Sequence, residues 1–189
     1  MFQQVTTDEG ATMQAACRTI QLPRRSCALH RLHNSIRDNI PFDSKGGQPA
    51  NRFVFNLTVK CRAIAGSFSN SFKKRQQWLG LAEELKCSTK ALVVDVRTRW
   101  DYTYLMLKSF NDQEKLVKLF SLQYDVPHVL TKADWDLVKP TMYLLEPLHG
   151  FTKCLTAGCL LSQLYPKLKG LLVIFVTFVI FNCIMIHNS

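Results

Sequence analysis

At 189 residues the chain can bury one ordinary core or two small ones, and it is too short for a multidomain enzyme. Hydrophobic residues make up 47% of it and charged residues 20%, which excludes a wholly disordered chain. The net charge of +10 is lopsided: residues 1–75 carry 12 Lys and Arg against 4 Asp and Glu, and residues 76–189 carry 12 against 10. A basic half of this kind suits a polyanion, nucleic acid first and anionic membrane second, with a merely solvated basic surface as the plain alternative.

Seven cysteines, at 17, 27, 61, 87, 154, 159 and 183, are odd in number and scattered. The opening MFQQVTTDEG has neither the basic stretch nor the apolar run of a secretory signal. Free thiols in a reducing compartment are expected.

Val5 to Asp8 reads as the end of a short strand, and Glu9-Gly10 as a turn into a helix starting near Ala11. Ser26 to Leu29 is a second short apolar stretch, running into a helix striped by Leu29, Leu32, Ile36 and Ile40. PFDSKGGQPAN, at 41–51, has two Pro, two Gly and little apolar content, so a domain boundary is placed there. Phe53, Leu57, Cys61, Ile64, Phe68 and Phe72 then follow at steps of three and four, predicting one long amphipathic helix whose stripe is packing. Beyond the basic cluster Lys73-Lys74-Arg75, the residues Trp78, Leu81 and Leu85 continue helically, and Ala91 to Val96 is extended or a loop.

Thr98-x-x-Asp101 and Thr131-x-x-Asp134 both have capping-box spacing. The first helix so started carries Tyr104, Leu107 and Phe110; the second carries Trp135, Val138, Met142 and Leu145. Pro140 and Pro147 are expected to kink or divide the second, because each removes an amide donor and crowds the preceding turn. The run LLVIFVTFVIFNCIMI at 171–186 is almost wholly apolar and falls just short of the usual 17–25 residues of a membrane-spanning helix. A C-terminal membrane anchor, a buried helix and sequence foreign to a folded domain all remain open for it. The chain is thus expected to be mainly α, with two strand-like pieces before the linker, too few to form a stable sheet by themselves.

Three local patterns now stand in order. Thr6-Thr7-Asp8-Glu9-Gly10-Ala11-Thr12-Met13 resembles the T-D-N-x-x-N-M stretch of hAT (hobo–Activator-like) DNA transposases. Cys27-Ala28-Leu29-His30 is similar to that family's C-x-x-H segment. Val96-Arg97-Thr98-Arg99-Trp100-Asp101, continuing through Tyr102-Thr103-Tyr104-Leu105-Met106-Leu107, is close to V-x-T-R-W-N-S-T-Y-x-M-L. Lys60-Cys61-Arg62, LEPLHGFTKCLTAG and SQLYPKL also read as family-like, so the resemblance runs from about residue 5 to 168. Glu9 and Thr12 depart from the usual Asn residues, Asp101 replaces the Asn after Trp, and nothing after Lys169 fits.

The resemblance implies an incomplete ribonuclease H-like α/β portion at 1–50, a helical insertion domain at 51–165 and a divergent apolar tail at 166–189. It further implies a nuclear, DNA-binding origin with no small-molecule substrate; the alternatives are a tail-anchored membrane protein with a basic helical cytosolic domain and a domesticated interaction module. Transposases of this class cleave DNA with two divalent metals, Mg²⁺ or Mn²⁺, held by an Asp–Asp–Glu set. Only Asp8 maps onto that set, as its second Asp, and one carboxylate binds such ions feebly. No cofactor and no catalysis by this chain alone are therefore expected, and the plain role of Asp8 is a turn or N-cap residue. Cys27 and His30 supply two of the four ligands a closed zinc site needs; the resemblance instead gives them the ordering of a strand-to-helix turn. Arg99 and Trp100 are the residues the resemblance assigns to DNA, Trp100 as a stacking face for a flipped base, against the alternative of a core tryptophan. Lys73, Lys74 and Arg75 are candidate phosphate contacts or a solvated helix end.

Overall fold

The computed structural model describes residues 5–7, 10–39, 52–96 and 99–156. Asp8, Ile40, the linker at 41–51, Thr98 and the apolar segment at 171–186 lie outside them. Among the described residues the chain forms two short strands and seven helices, so it is mainly α. No helix there is long and apolar enough to cross a membrane.

Strand β1 (Val5–Thr7), helix α1 (Ala11–Thr19) and strand β2 (Arg24–Ser26) form a parallel pair with a helical crossover. Val5 pairs with Arg24 and Thr7 with Ser26. Parallel neighbours need such a long connection because a tight turn cannot reverse the chain twice. Helix α1 closes with the left-handed residue Gln21 (φ 53°). There the amide of Leu22 donates to the Cys17 carbonyl and that of Gln21 to Arg18. This is a Schellman cap, made without the glycine that usually fills it.

Helix α2 (Ala28–Asn39) starts directly after β2. Its Ile36 is buried and its Leu32 half-buried in the same core as the helices beyond the linker. Helix α3 (Arg52–Ser69) buries Leu57, Cys61, Ile64 and Phe68, as the spacing predicts. The ends of that stripe depart from the expectation. Phe53 is 73% exposed and Phe72 69% exposed. The helix stops at Ser69, and a new one, α4 (Phe72–Glu84), begins with Ser71 as its N-cap, the Ser71 hydroxyl accepting from the Lys74 amide. That break turns Phe72 out of register with the stripe.

Trp78 of α4 packs edge-on to Phe68 at 5.0 Å, and both rings meet Phe120 of α6 (Glu114–Gln123) at 5.6 and 4.9 Å. Offset and edge-to-face aromatic packing of this kind adds to area burial. Residues 91–96 are neither helix nor strand. They lie against α5 (Trp100–Asp112), where the Val93 amide donates to the Ser109 hydroxyl.

Two ion pairs fasten α3 to its surroundings through the residues flanking buried Cys61. Lys60 donates to Asp134 at 2.7 Å, and Arg62 pairs with Asp95, whose side chain is wholly buried. Thr103 of α5 donates a second hydrogen bond to Asp95. Burial alone pushes the Asp134 carboxyl up, but hydrogen bonds from Lys60 and Thr131 outweigh it and hold the group below its usual range. Burial, with help from Asp134, pushes the Cys61 thiol far up, so it stays a thiol in neutral solution.

Helix α7 (Lys132–Thr156) opens with the expected capping box: the Thr131 amide donates to Asp134 and the Asp134 amide to the Thr131 hydroxyl. Of the other expected box, Thr98 lies outside the described residues; α5 starts at Trp100 with Arg99 as its N-cap, and the Arg99 side chain, which has no acceptor atom, makes no cap bond. Helix α7 also runs unbroken through Pro140 and Pro147. Each proline leaves one carbonyl without its amide partner, four residues earlier, at Asp136 and Tyr143; both residues are exposed, so water can satisfy those carbonyls.

Candidate functional site

The end of β1, the turn from β2 into α2, the start of α5 and the end of α7 meet around one cleft of about 690 Å³. Thr6 and Thr7 come from the first family-like pattern, Cys27, Leu29, His30 and His33 from the second and the helix it opens, and Arg99, Trp100 and Asp101 from the third. Patterns separated by about 20 and 70 residues in the chain thus line a single site. Thr152 and Thr156 complete it from α7.

Local chemistry explains how each element reaches the cleft. The Cys27 amide donates to the Thr7 carbonyl at 2.8 Å, extending the strand pair by one residue, and the Cys27 carbonyl accepts the Arg31 amide as the first bond of α2. Cys27 therefore sits at the turn from strand to helix. The Arg24 guanidinium donates to the Thr7 hydroxyl at 3.1 Å and holds the floor of the cleft together. On α7 the Thr152 and Thr156 hydroxyls donate back to the carbonyls of Leu148 and Thr152, which spends their protons within the helix and leaves their oxygens as acceptors.

The electrostatics favour an anion on one side. Helices α2 and α5, of 12 and 13 residues, both begin at the cleft, so two positive dipole ends lie there. Arg99 adds an exposed guanidinium, while Asp101 sets a carboxylate beside it. Trp100 is only 3% exposed and belongs to the core, so it floors the cleft and fixes the start of α5 instead of standing free in it. Lys73, Lys74 and Arg75 lie on the first turn of α4 and do not line the cleft; Arg75 donates to the Ser69 carbonyl across the break between α3 and α4.

Among the described residues, Cys27, His30, His33 and Asp101 are the cleft's possible metal donors. Among the described residues no three His, Cys, Asp or Glu side chains come together as a cage. That donor set does not fit a pair of Mg²⁺ or Mn²⁺ ions, which need several carboxylate oxygens.

The ZBED1 RNase-like helical domain family matches residues 26–143, from the last residue of β2 into the middle of α7. The chain belongs to that family. A Talaromyces stipitatus protein, tpeD, provisionally named a transcriptional regulator, is 29% identical over 113 residues, 59% of this chain. The match covers only 13% of that relative's length. No solved structure matches the chain.

Sequence reasoning missed Asp101, His33, Thr152 and Thr156 as cleft residues. The two threonines sit within LEPLHGFTKCLTAG at an i, i+4 step, which places them on one helical face; the spacing was visible, but not what that face meets.

Beneath the cleft, His149 of α7 is buried and stacked on Tyr104 of α5 at 4.6 Å, with no hydrogen-bond partner for Nδ1. Burial lowers its pKa first, and Lys153 lowers it further, against the opposing pull of Asp101 and Glu146. A lowered folded-state value means the unfolded chain binds the proton more readily, so stability falls as pH drops below about 6.5 towards the folded value. Replacing His149 with Phe keeps a ring against Tyr104 and removes the proton site. Thermal melts at pH 7.5 and pH 5.5 should show a smaller acid-induced loss in His149→Phe than in the parent; equal losses would place the pH sensitivity elsewhere.

Proposed function

We propose that this chain is an hAT transposase-derived helical domain that binds DNA through the cleft and performs no strand chemistry by itself. The observation that carries this reading is the meeting of the three family-like patterns in one cleft at two helix amino-termini beside Arg99. Phosphate oxygens suit that arrangement, because first-turn amides donate to them and the helix dipoles favour their charge. Arg99 supplies the mobile cation. Stacking of a flipped base on Trp100 needs the ring uncovered, so with 3% of it exposed phosphate contact is the larger contribution. The transcriptional-regulator name of the Talaromyces relative points towards DNA and a nuclear location as well.

Catalytic silence rests on carboxylate count. Of the three carboxylates the resemblance calls for, this sequence offers Asp8 alone, and among the described residues the cleft adds only Asp101. One or two carboxylates do not hold a metal pair able to activate water and stabilise the leaving oxygen.

Fluorescence anisotropy with a labelled DNA duplex tests the binding. Affinity should be insensitive to sequence and fall steeply between low and moderate salt, since counterion release drives it. Arg99→Glu should weaken binding by about tenfold or more, as expected for a charge-assisted phosphate contact turned repulsive. Binding that ignores salt, or survives Arg99→Glu unchanged, contradicts the cleft assignment. With Mg²⁺ or Mn²⁺ the same protein should leave DNA uncut; metal-dependent cleavage abolished by Asp8→Ala would falsify the silence.

A further inference from the structure

A second groove, of about 680 Å³, lies between α6 and the first turns of α7 and shares no lining residue with the cleft. Its apolar surface is uncovered to an unusual degree. Leu122, near the end of α6, is 81% exposed, and Val129, in the loop before α7, is also exposed. Trp135 lies half-buried between them and the core. Isolated exposed leucines are ordinary, but several apolar side chains lining one concave surface mark a place where something packs.

The rim is cationic. Lys118 is tied to Glu114 one turn earlier and stands over the Trp135 ring, 5.2 Å from its centre. Lys132 and Lys139 are exposed and have no carboxylate partner among the described residues. With Lys118 and Glu114 offsetting each other, two lysines face the single carboxylate of Asp136. Lys132 also sits in the first turn of α7, where the helix dipole opposes its own charge and favours an anionic neighbour. An occupant with apolar side chains and negative flanks satisfies both the floor and the rim.

We propose that this groove docks a short amphipathic helix of a partner protein, with acidic residues beside its apolar stripe. Helix-in-groove binding uses anchors at i, i+3, i+4 and i+7. The ten residues of α6 span about 15 Å, enough to seat two to three turns of such a helix. Nucleic acid suits the groove less well. The Trp135 face that a base would stack on already carries Lys118, and exposed Leu122 and Val129 gain nothing from phosphate.

The test uses the full-length chain and three fluorescent probes. One is a peptide of about four helical turns with Leu and Phe at the anchor positions and Asp or Glu elsewhere. The second is the same peptide with Lys and Arg in place of the acids, and the third is a single-stranded DNA oligonucleotide. The acidic peptide should bind saturably and the basic one at least about tenfold more weakly. Leu122→Glu, and separately Lys132→Glu with Lys139→Glu, should each reduce acidic-peptide binding by about tenfold or more. All three positions are exposed, so circular dichroism and melting temperature should not move. DNA affinity should survive Leu122→Glu, since that change is outside the cleft. The proposal is overturned if neither peptide binds, if both bind alike, or if the groove variants leave peptide binding unchanged. Loss of DNA binding in those variants with no effect on the peptide would make the groove a nucleic-acid surface instead.

Discussion

Arg62→Met is expected to destabilise the fold by about 3–5 kcal/mol, the usual cost of stranding one partner of a buried ion pair. The Asp95 side chain is wholly buried, and Arg62 is the cation paired with it. With the guanidinium gone, Thr103 still donates one hydrogen bond to Asp95, but a single hydroxyl does not compensate a buried negative charge. A domain of this size has about 5–15 kcal/mol in total, so the loss is a large part of it. The consequence also reaches the site. Asp95 anchors the segment that leads into Arg99 and the start of α5, so loosening it frees the cleft wall. Urea denaturation of the parent, Arg62→Met and the double variant Arg62→Met/Asp95→Leu measures the coupling. The double variant should recover a substantial part of the loss, because an apolar pair of similar volume avoids the stranded charge. A cost below about 1 kcal/mol for the single variant would mean that Asp95 is solvated and the pair is ornamental.

Phe110→Ala should cost about 3–5 kcal/mol, and Phe53→Ala close to nothing, although both are phenylalanines on helices of this one chain. Phe110 is fully buried at the end of α5, where α5 packs against α3, α6 and α7. Removing its ring forfeits the transfer free energy and leaves a cavity that helices on several sides cannot close. Phe53 is 73% exposed in the first turn of α3 and has little burial to lose. Phe72, 69% exposed at the start of α4, should behave like Phe53. Thermal melts of the three alanine variants settle the matter. A loss at Phe53 comparable to that at Phe110 would show that the first turn of α3 is packed in solution.

That pair of phenylalanines shows where local pattern stops being informative. The period of Phe53, Leu57, Cys61, Ile64, Phe68 and Phe72 established a helix and its inner face, because i, i+3 and i+4 residues fall on one side of any α-helix. It could not say that the helix ends at Ser69, since that depends on the Ser71 cap competing successfully with continuation. Nor could it say that Phe53 would be left largely exposed. The capping box at Thr131 and Asp134 was legible in the sequence because both halves lie within one turn. The box at Thr98 and Asp101 has the same spacing, yet the helix starts at Trp100 with Arg99 as its N-cap, one residue later than that box requires. Helix α6 had no pattern singled out for it, its ten residues being short and joined to α5 through Gln113 alone.

For the candidate site, the family-like patterns in the sequence pointed to Cys27, His30, Arg99 and Trp100, which line the cleft, to Asp8, which lies outside the described residues, and beside them to Lys73, Lys74 and Arg75, which do not line it. The predominantly helical character was fixed in the same way, by apolar periods and turn residues acting within single elements. Only the tertiary structure decided that those motifs share a cleft, that Thr152 and Thr156 close it, and that Trp100 is its floor and not a free face. It also decided that Arg62 meets Asp95 and Lys60 meets Asp134. The physical reason is range. Helix periodicity and caps are set by neighbours within about four residues, whereas burial, charge pairing and concavity are set by helices tens of residues away in the chain, whose approach is governed by how all their side chains pack at once.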